Sequence, residues 1–431
     1  MAGGHRAAVS ARDAVGAVWR IESARVVGGL ARYTGDFTLA EDLAQEALAE
    51  ALVTWPRDGV PRNPAGWLLT VGRRRAIDAF RRRSALDDRY AAFARDLGEG
   101  GAASGVPPDP GAPDDLLSDP DRIDDDVLAL IFISCHPLVS PEARVALTLR
   151  VVGGLTSDEI ARAFLVPTAT VQARITRAKK TLSAAQVRFE VPSGDERRER
   201  LGSVLSVVYV IFTEGSTATS GDDLIRPDLA HEAVRLARVL AQLVPDEPEV
   251  HGLLALLELT AARFAARTGP DGDPVLLADQ DRRRWDLAAI RRGRAALARA
   301  GQVGRGLGAY GLQAAIAECH AVAPSVDETD WDRIVVLYEA LGRLASSPVV
   351  ELNRAVALSM AQGPAAALRV VDDLVAGGRL GHSHLLPSVR GELLTRLGRT
   401  GEARAELELA LHRCGNAAER AVLERKLDGL R

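Results

Sequence analysis

The stretch GLTSDEIARAFLVPTATVQARITRAKKTL, Gly154 to Leu182, constrains the chain more tightly than any other. Thr156 and Glu159 have the T-x-x-E spacing of a capping box, in which each side chain satisfies the other's orphan backbone amide. That spacing predicts a helix starting at Thr156. Ile160, Ala161 and Phe164 give it an apolar face. Leu165-Val166-Pro167 ends it, because a proline disfavours helical geometry at the residue before it. Thr168 is placed to cap a second helix, on which Val171, Ile175, Ala178 and Leu182 share one side. Thr170, Gln172, Arg174, Arg177, Lys179 and Lys180 point elsewhere. A short helix, a tight turn and a helix with a basic outer face make a helix-turn-helix, whose second helix can enter a DNA major groove. The competing reading is a helical hairpin with a solvated basic face.

Composition narrows the class. At 431 residues the chain is long enough for about two to four domains with real cores. Apolar residues make up 47% and aromatics only 4%, with Ala, Leu and Arg dominant, which points to an all-α protein. The net charge of −4 argues against a general nucleic-acid coat, so any DNA contact must come from local basic patches. Cys135, Cys319 and Cys414 are far apart and form no C-x-x-C pair. Neither a zinc site nor a disulfide framework is expected, and reduced thiols fit a cytoplasm. Residues 1–20 carry no apolar signal core. The longest apolar run, Val204 to Phe212, falls far short of the ~20 residues that span a bilayer, so no membrane partner is expected.

Upstream, residues 14–33 read as a helix and Leu39 to Trp55 as a second. The second has an inner stripe of Leu43, Ala47, Leu48, Ala51, Leu52 and Trp55. Its outer stripe of Asp42, Gln45, Glu46 and Glu50 is acidic. Trp55-Pro56 to Asn63 reads as a loop. Asn63 can cap the next helix, with Pro64 at its first position. That helix, Pro64 to Arg83, carries Trp67, Leu68, Val71, Ile77 and Phe80 together with Arg73, Arg74, Arg75, Arg81, Arg82 and Arg83. Two clusters of arginine repel each other, and phosphate is the natural counter-charge. Residues 84–126 turn Gly/Ala/Pro-rich and then Asp-rich, which is linker chemistry.

The segments AEDLAQEAL (Ala40 to Leu48), WLLTVGRRRAIDAFRRR (Trp67 to Arg83) and the helix-turn-helix, in that order, resemble an extracytoplasmic-function (ECF) sigma factor of bacterial RNA polymerase. The resemblance implies four parts: a region 2 helical domain at 10–85, a flexible acidic linker at 86–123, a region 4 helix-turn-helix domain at 124–188, and a further segment at 189–431. It implies that Asp42, Leu43, Gln45 and Glu46 dock on the core polymerase, whose β and β′ subunits are the expected partners. The −10 element of promoter DNA would be held by Asn63, Trp67, Arg73, Arg74, Arg75, Arg81 and Arg82. The −35 element would be read by Thr168, Thr170, Gln172, Arg174, Arg177 and Lys179. Where the family commonly has an Arg-Asn pair, this chain has Arg74-Arg75, which bears on strand contacts.

Residues 189–431 read as helical hairpins. Pro348 to Met360 with Ala365 to Val375, and His384 to Leu397 with Glu402 to His412, repeat at an offset of about 35 residues, close to the tetratricopeptide period. Stacked hairpins of this kind form an α-solenoid with a concave binding face. Two stretches depart from a plain repeat: YVIFTEG, Tyr209 to Gly215, and DGDPVLLADQDRRRWD, Asp271 to Asp286. For the second, a metal site is opposed by the neighbouring arginines, and a catalytic site lacks a nucleophile, histidine or phosphate loop. Capping aspartates and Asp–Arg pairs remain, as does a docking loop.

Both stretches resemble the ECF subgroup that carries a tetratricopeptide-like C-terminal extension. The motif residues are Glu214, Asp271, Asp273, Asp279, Asp281, Arg284 and Trp285. The resemblance implies an extension that controls sigma activity, with docking on the sigma domains as one route. Thr213 and Ser216 stand where the subgroup usually has an Asn and a Tyr. The expectation is a non-enzymatic promoter-recognition subunit with no cofactor and no metal. The alternative is a different helix-turn-helix regulator gated by a ligand or partner on the solenoid.

Overall fold

The computed structural model describes residues 2–96, 120–164, 166–216, 226–269, 275–304, 306–381, 383–415 and 417–430, with side chains from residue 14 apart from 83–96, 120–123 and 417–418. The protein is all-helical, and among the described residues there is no β-strand. It divides into two compact units, Met1–Val207 and Val208–Arg431.

The first unit contains α1 (Ala2–Thr34), α2 (Phe37–Asp58), α3 (Pro64–Asp96), α4 (Pro120–Ser134), α5 (Pro141–Val151), α6 (Ser157–Ala163), α7 (Thr168–Ala184) and the start of α8 (Gly194–Ser216). Asp36 caps α2 by accepting from the Thr38 and Leu39 amides. As expected, Asn63 caps α3, its Oδ1 taking the Gly66 amide at 3.0 Å. Helices α1, α2 and α3 pack around Leu30, Leu43, Ala47 and Leu68, all at most 3% exposed. Gly72 permits the α1–α3 approach, since a Cβ there would meet Leu30 Cδ1 at 2.7 Å.

Three local expectations change. Helix α2 runs through Pro56 to Asp58 before Gly59 turns at φ 85°, leaving a shorter loop. Pro56 gives up the amide donor that would meet the Leu52 carbonyl, two residues before the helix ends. Leu52 is 40% exposed and does not belong to the inner stripe. Helix α3 continues to Asp96 and α4 begins at Pro120, so the linker expected over 86–123 is helical at both margins. Its remaining residues lie outside the described set.

The second unit holds α9 (Pro227–Leu243), α10 (Pro248–Ala261), α11 (Leu287–Val303), α12 (Ala309–Val322), α13 (Trp331–Leu344), α14 (Pro348–Ala361), α15 (Pro364–Ala376), α16 (Leu385–Arg396), α17 (Thr400–Arg413) and α18 (Ala417–Asp428). Each helix packs on the next. Helices two apart also touch, α10 on α12 and α14 on α16, as stacked hairpins must. The predicted hairpins coincide with α14–α15 and α16–α17. Leu352, Val371, Leu393, Leu394 and Ala403 fill the core between them. Between α10 and α11 lie 3-10 turns at Leu277–Asp279 and Arg282–Arg284, which interrupt the hairpin pattern.

Candidate nucleic-acid interface

The capping box forms. Thr156 Oγ1 accepts the Glu159 amide at 3.1 Å, and Glu159 Oε2 accepts the Thr156 amide at 2.8 Å. Burial works to raise the Glu159 carboxyl, but the Thr156 donors and the Arg20 guanidinium outweigh it and hold it below the ordinary glutamate range. The inner face of α7 is the expected one: Val171, Ile175, Ala178 and Leu182 are buried. Thr168 does not cap α7. Pro167 takes the N-cap position, and the Thr168 hydroxyl donates to Asp158 Oδ1 at 2.8 Å, tying α7 to α6. Gln172 and Arg177 are exposed, and Thr170 and Arg174 are half-buried beside them. A helix-turn-helix thus presents a polar, basic ridge exposed at Gln172 and Arg177.

Lys179 is placed differently. Its side chain is only 13% exposed, and Nζ lies 2.6 Å from Glu41 Oε2 and 2.7 Å from Asp42 Oδ1. Burial works against the charge, but the two carboxylates outweigh it and hold the ammonium above the usual lysine range. Arg150 approaches Glu41 from the other side at 3.5 Å. Lys179 is therefore a strut between α7 and α2, not an exposed member of the basic ridge. Further ties join the same halves of the unit. Arg20 bonds Glu159, and Arg32 meets the buried Asp126 at 3.0 Å. The turn at Gly154, φ 69°, sits so close to α1 that a Cβ would meet Ser23 Oγ at 2.8 Å.

The arginine helix divides by neighbourhood. Arg73 is buried, with its guanidinium 4.8 Å over the Tyr33 ring. Arg74 and Arg75 pair with Glu50 at 2.7 and 2.8 Å, and Arg75 reaches Glu46 at 3.3 Å. These bonds, led by the one from Arg75, hold the Glu50 carboxyl low. Arg81 and Arg82 are exposed and show no ion pair among the described residues. Trp67 packs edge-on against Trp55 with ring centroids 5.4 Å apart, a core arrangement. On α2, Asp42 and Glu46 are exposed and Gln45 is half-buried, but Leu43 is 3% exposed and supports that surface from beneath. Asn63 is exposed, with its Oδ1 spent on the cap.

The sigma-70 region 2 family matches residues 20–85, and the sigma-70 region 4 family matches residues 130–182. The first covers α2 with its acidic surface and the arginine helix; the second covers the helix-turn-helix. The first unit thus carries matches to sigma-70 region 2 and sigma-70 region 4. The chain is similar to the "Probable ECF RNA polymerase sigma factor SigI" of Mycobacterium tuberculosis (strain H37Rv), with 26% identity over 44% of this chain and 61% of the relative. The uncharacterized protein R00370 of Rhizobium meliloti (strain 1021) is 42% identical over 94% of this chain and 93% of its own length, so the two share one family, extension included. Residues 200–301 match a family of unknown function, DUF6596. No solved structure matches. No helix among the described residues is long and apolar enough to cross a membrane.

The motifs of the second unit have structural roles that can be read directly. Tyr209 and Phe212 pack on Tyr310 and Phe264, with centroids 5.5 and 6.0 Å apart. Glu214 pairs with Arg226 at 2.6 Å. Asp281 caps the 3-10 turn through the Arg283 amide and pairs with the Arg283 side chain, both at 3.0 Å. Asp286 caps α11. Asp279 is exposed, and Arg284 reaches the Thr268 carbonyl at 3.4 Å. Trp285 is 4% exposed. Asp271 and Asp273 lie outside the described residues. Sequence reading missed Arg263, which the fold brings 5.9 Å from the Trp285 ring centroid, Arg267, which lies over Phe264, and His320, whose ring packs on Trp331. It also missed His384, Cys414 and Glu419, whose ligand atoms lie within 4.8 Å of one another. No spacing signal links either group.

His320 gives a pH prediction. Burial first, then Arg263 and Arg282, pushes its imidazole down to about 4. A histidine depressed in the fold contributes stability that is full above the unfolded value of about 6.5 and is lost as pH falls toward 4. Chemical denaturation of the second unit should show that decline over this window, and His320→Gln should flatten it.

Proposed function

We propose that this chain is an ECF sigma factor that binds core RNA polymerase, directs it to specific promoters and promotes initiation, under control of its own C-terminal extension. The observation that carries the reading is the order of surfaces within one compact unit: an acidic face on α2, exposed arginines on α3 and a capped helix-turn-helix. In this reading Asp42, Gln45 and Glu46 meet the β′ subunit, with Leu43 supporting them. Asn63, Arg81 and Arg82 hold the melted −10 strand. Its unstacked bases and phosphates need charge and a pocket. Arg73, Arg74 and Arg75 set the shape and field of that helix, and Trp67 braces it. Thr170, Gln172, Arg174 and Arg177 read the −35 element, positioned by Thr168.

The working compartment is the cytoplasm, where polymerase and promoters are. The full-length likeness to the Rhizobium protein supports treating the extension as an integral part, because the similarity does not stop where the sigma regions end.

The test mixes purified protein with core polymerase and a supercoiled promoter library. Specific transcripts should appear, and removal of residues after about 190 should change their amount without changing the −10 and −35 motifs. Tight duplex binding by the protein alone, with no association with core, would defeat the reading. A shifted promoter motif in the truncated protein would defeat the regulatory role of the extension.

A further inference from the structure

Helices α16, α17 and α18 bring three metal-ligand side chains to one point. His384 is the residue before α16, Cys414 the residue after α17, and Glu419 lies in the first turn of α18. One ligand atom from each lies within 4.8 Å of the other two. His384 Nε2 and Glu419 Oε2 are 3.1 Å apart. A zinc ion with bonds of about 2.0–2.3 Å at tetrahedral angles holds its ligand atoms about 3.3–3.6 Å apart. The imidazole–carboxylate edge is already close to that length, and the edges to sulfur close with movements of roughly 1 Å.

The surroundings give this group a dry side and a wet side. Cys414 is 3% exposed and packs with Leu407, Ala410 and Leu423. The His384 and Glu419 side chains are 23% and 31% exposed, so an ion reaches them from solvent without opening that core. Two guanidinia stand nearby, and both are tied to carbonyls. Arg420 Nη2 donates to the Cys414 carbonyl at 2.8 Å. Arg267, which feels the Glu419 charge, donates to the Ser216 carbonyl at 2.6 Å. A histidine–glutamate hydrogen bond needs no sulfur beside it. The convergence of a third donor of another kind, from a third helix, is what makes a ligand set.

We propose that His384, Cys414 and Glu419 bind a divalent transition-metal ion of the zinc class, with water in the fourth position. Thiolate and imidazole are ligands for such ions, whereas magnesium and calcium take oxygen alone. With the thiol deprotonated the three donors carry two negative charges, which a divalent ion cancels. Three protein ligands and one open position is the count of an exchangeable site, not of a closed structural one. The ion staples α16, α17 and α18 around the small core at Leu407, Ala410 and Leu423. Because binding a metal and ordering its ligands are one equilibrium, metal supply sets how firmly α18 is held. This site does not rest on the promoter reading, because the ion is counted without polymerase.

The experiment strips the full-length chain with a chelator and titrates it with Co2+, whose bond to a thiolate absorbs in the near ultraviolet. One equivalent should give that band, Zn2+ should abolish it, and Mg2+ should leave it unchanged. Zn2+ should also raise the unfolding temperature by several degrees. Cys414→Ser should remove the band, although the buried Cys135 and Cys319 remain. Glu419→Gln keeps a hydrogen-bond partner for His384 but loses the anionic ligand. It should weaken Co2+ binding by on the order of tenfold or more, since even outer-sphere partners contribute that much. Its metal-free unfolding temperature should stay close to the parent's. That pairing, weaker binding with undiminished stability, separates a ligand from a structural hydrogen bond. The proposal is overturned if no thiolate band appears, if the band survives Cys414→Ser, or if Mg2+ displaces Co2+ as well as Zn2+ does. Should Cys414→Ser fail to fold, Glu419→Gln decides, and a Co2+ affinity equal to the parent's overturns the site.

Discussion

Replacing Lys179 with glutamate should part the helix-turn-helix from α2. The ammonium sits 2.6 and 2.7 Å from the carboxylates of Glu41 and Asp42, and the Glu41 side chain is 6% exposed. Charge reversal removes both contacts and adds a third carboxylate to the group, with Arg150 at 3.5 Å as the remaining counter-charge. Breaking a buried pair costs about 3–5 kcal/mol. Most of that belongs to Glu41, since Asp42 is 60% exposed and largely screened by solvent. Dyes on cysteines placed at Ala49 and Thr176, both exposed, would report the separation, because the three natural thiols are buried. Transfer efficiency should drop in the glutamate variant and hold in Lys179→Arg. Equal efficiency in all three proteins would show that Arg32–Asp126 and the Gly154 turn suffice without Lys179. The raised lysine pKa sets the pH direction: the strut is intact below the unfolded lysine value and is lost as pH climbs through the folded one.

Gly252→Val should cost the second unit about 3 kcal/mol or more. A Cβ at this position would meet the Gly311 amide nitrogen at 2.7 Å and its Cα at 3.0 Å, so α10 and α12 cross with backbone against backbone. Neither backbone can swing aside as a side chain would. Leu253 and Leu257, both 0% exposed, fix α10 from its other faces. Overpacking of this kind forces helices apart and opens the contacts beside the clash. In a domain of this size the unfolding temperature should fall by on the order of 10 °C. Gly301→Ala is the matched control. It too lies within a helix, α11, but nothing stands within 4 Å of its Cβ. There alanine should stabilise by about 0.5–1 kcal/mol, because glycine pays more chain entropy on folding. Calorimetry of the two variants should give opposite signs.

Local signals carried far in this chain. The capping box at Thr156, the Asn63 cap and the buried face of α7 all follow from spacing alone, because each depends on residues within one or two turns. The hairpins α14–α15 and α16–α17 were legible for the same reason. Spacing failed where a side chain's partner lies far along the chain. Lys179 looked like one more basic residue of a DNA-facing helix, and its carboxylates stand 137 and 138 residues away. Arg74 and Arg75 looked free for phosphate because Glu50 and Glu46 sit on a neighbouring helix. Arg263 and His320 carry no motif at all, and the fold brings them close enough for the Arg263 charge to act on the His320 imidazole.

The Glu50 bridge to Arg74 and Arg75 changes what a salt titration of this protein measures. An arginine that meets a phosphate from water releases counterions from the polyanion, and the slope of log affinity against log salt counts such arginines. Arg74 and Arg75 begin with Glu50 and Glu46 already in place. Any polyanion that draws them away exchanges one internal ion pair for another and leaves freed carboxylates facing it. The slope therefore records Arg81 and Arg82 more than the arginine content of α3 suggests. Glu50→Gln would steepen it, releasing Arg74 from its carboxylate and leaving Arg75 with Glu46 alone.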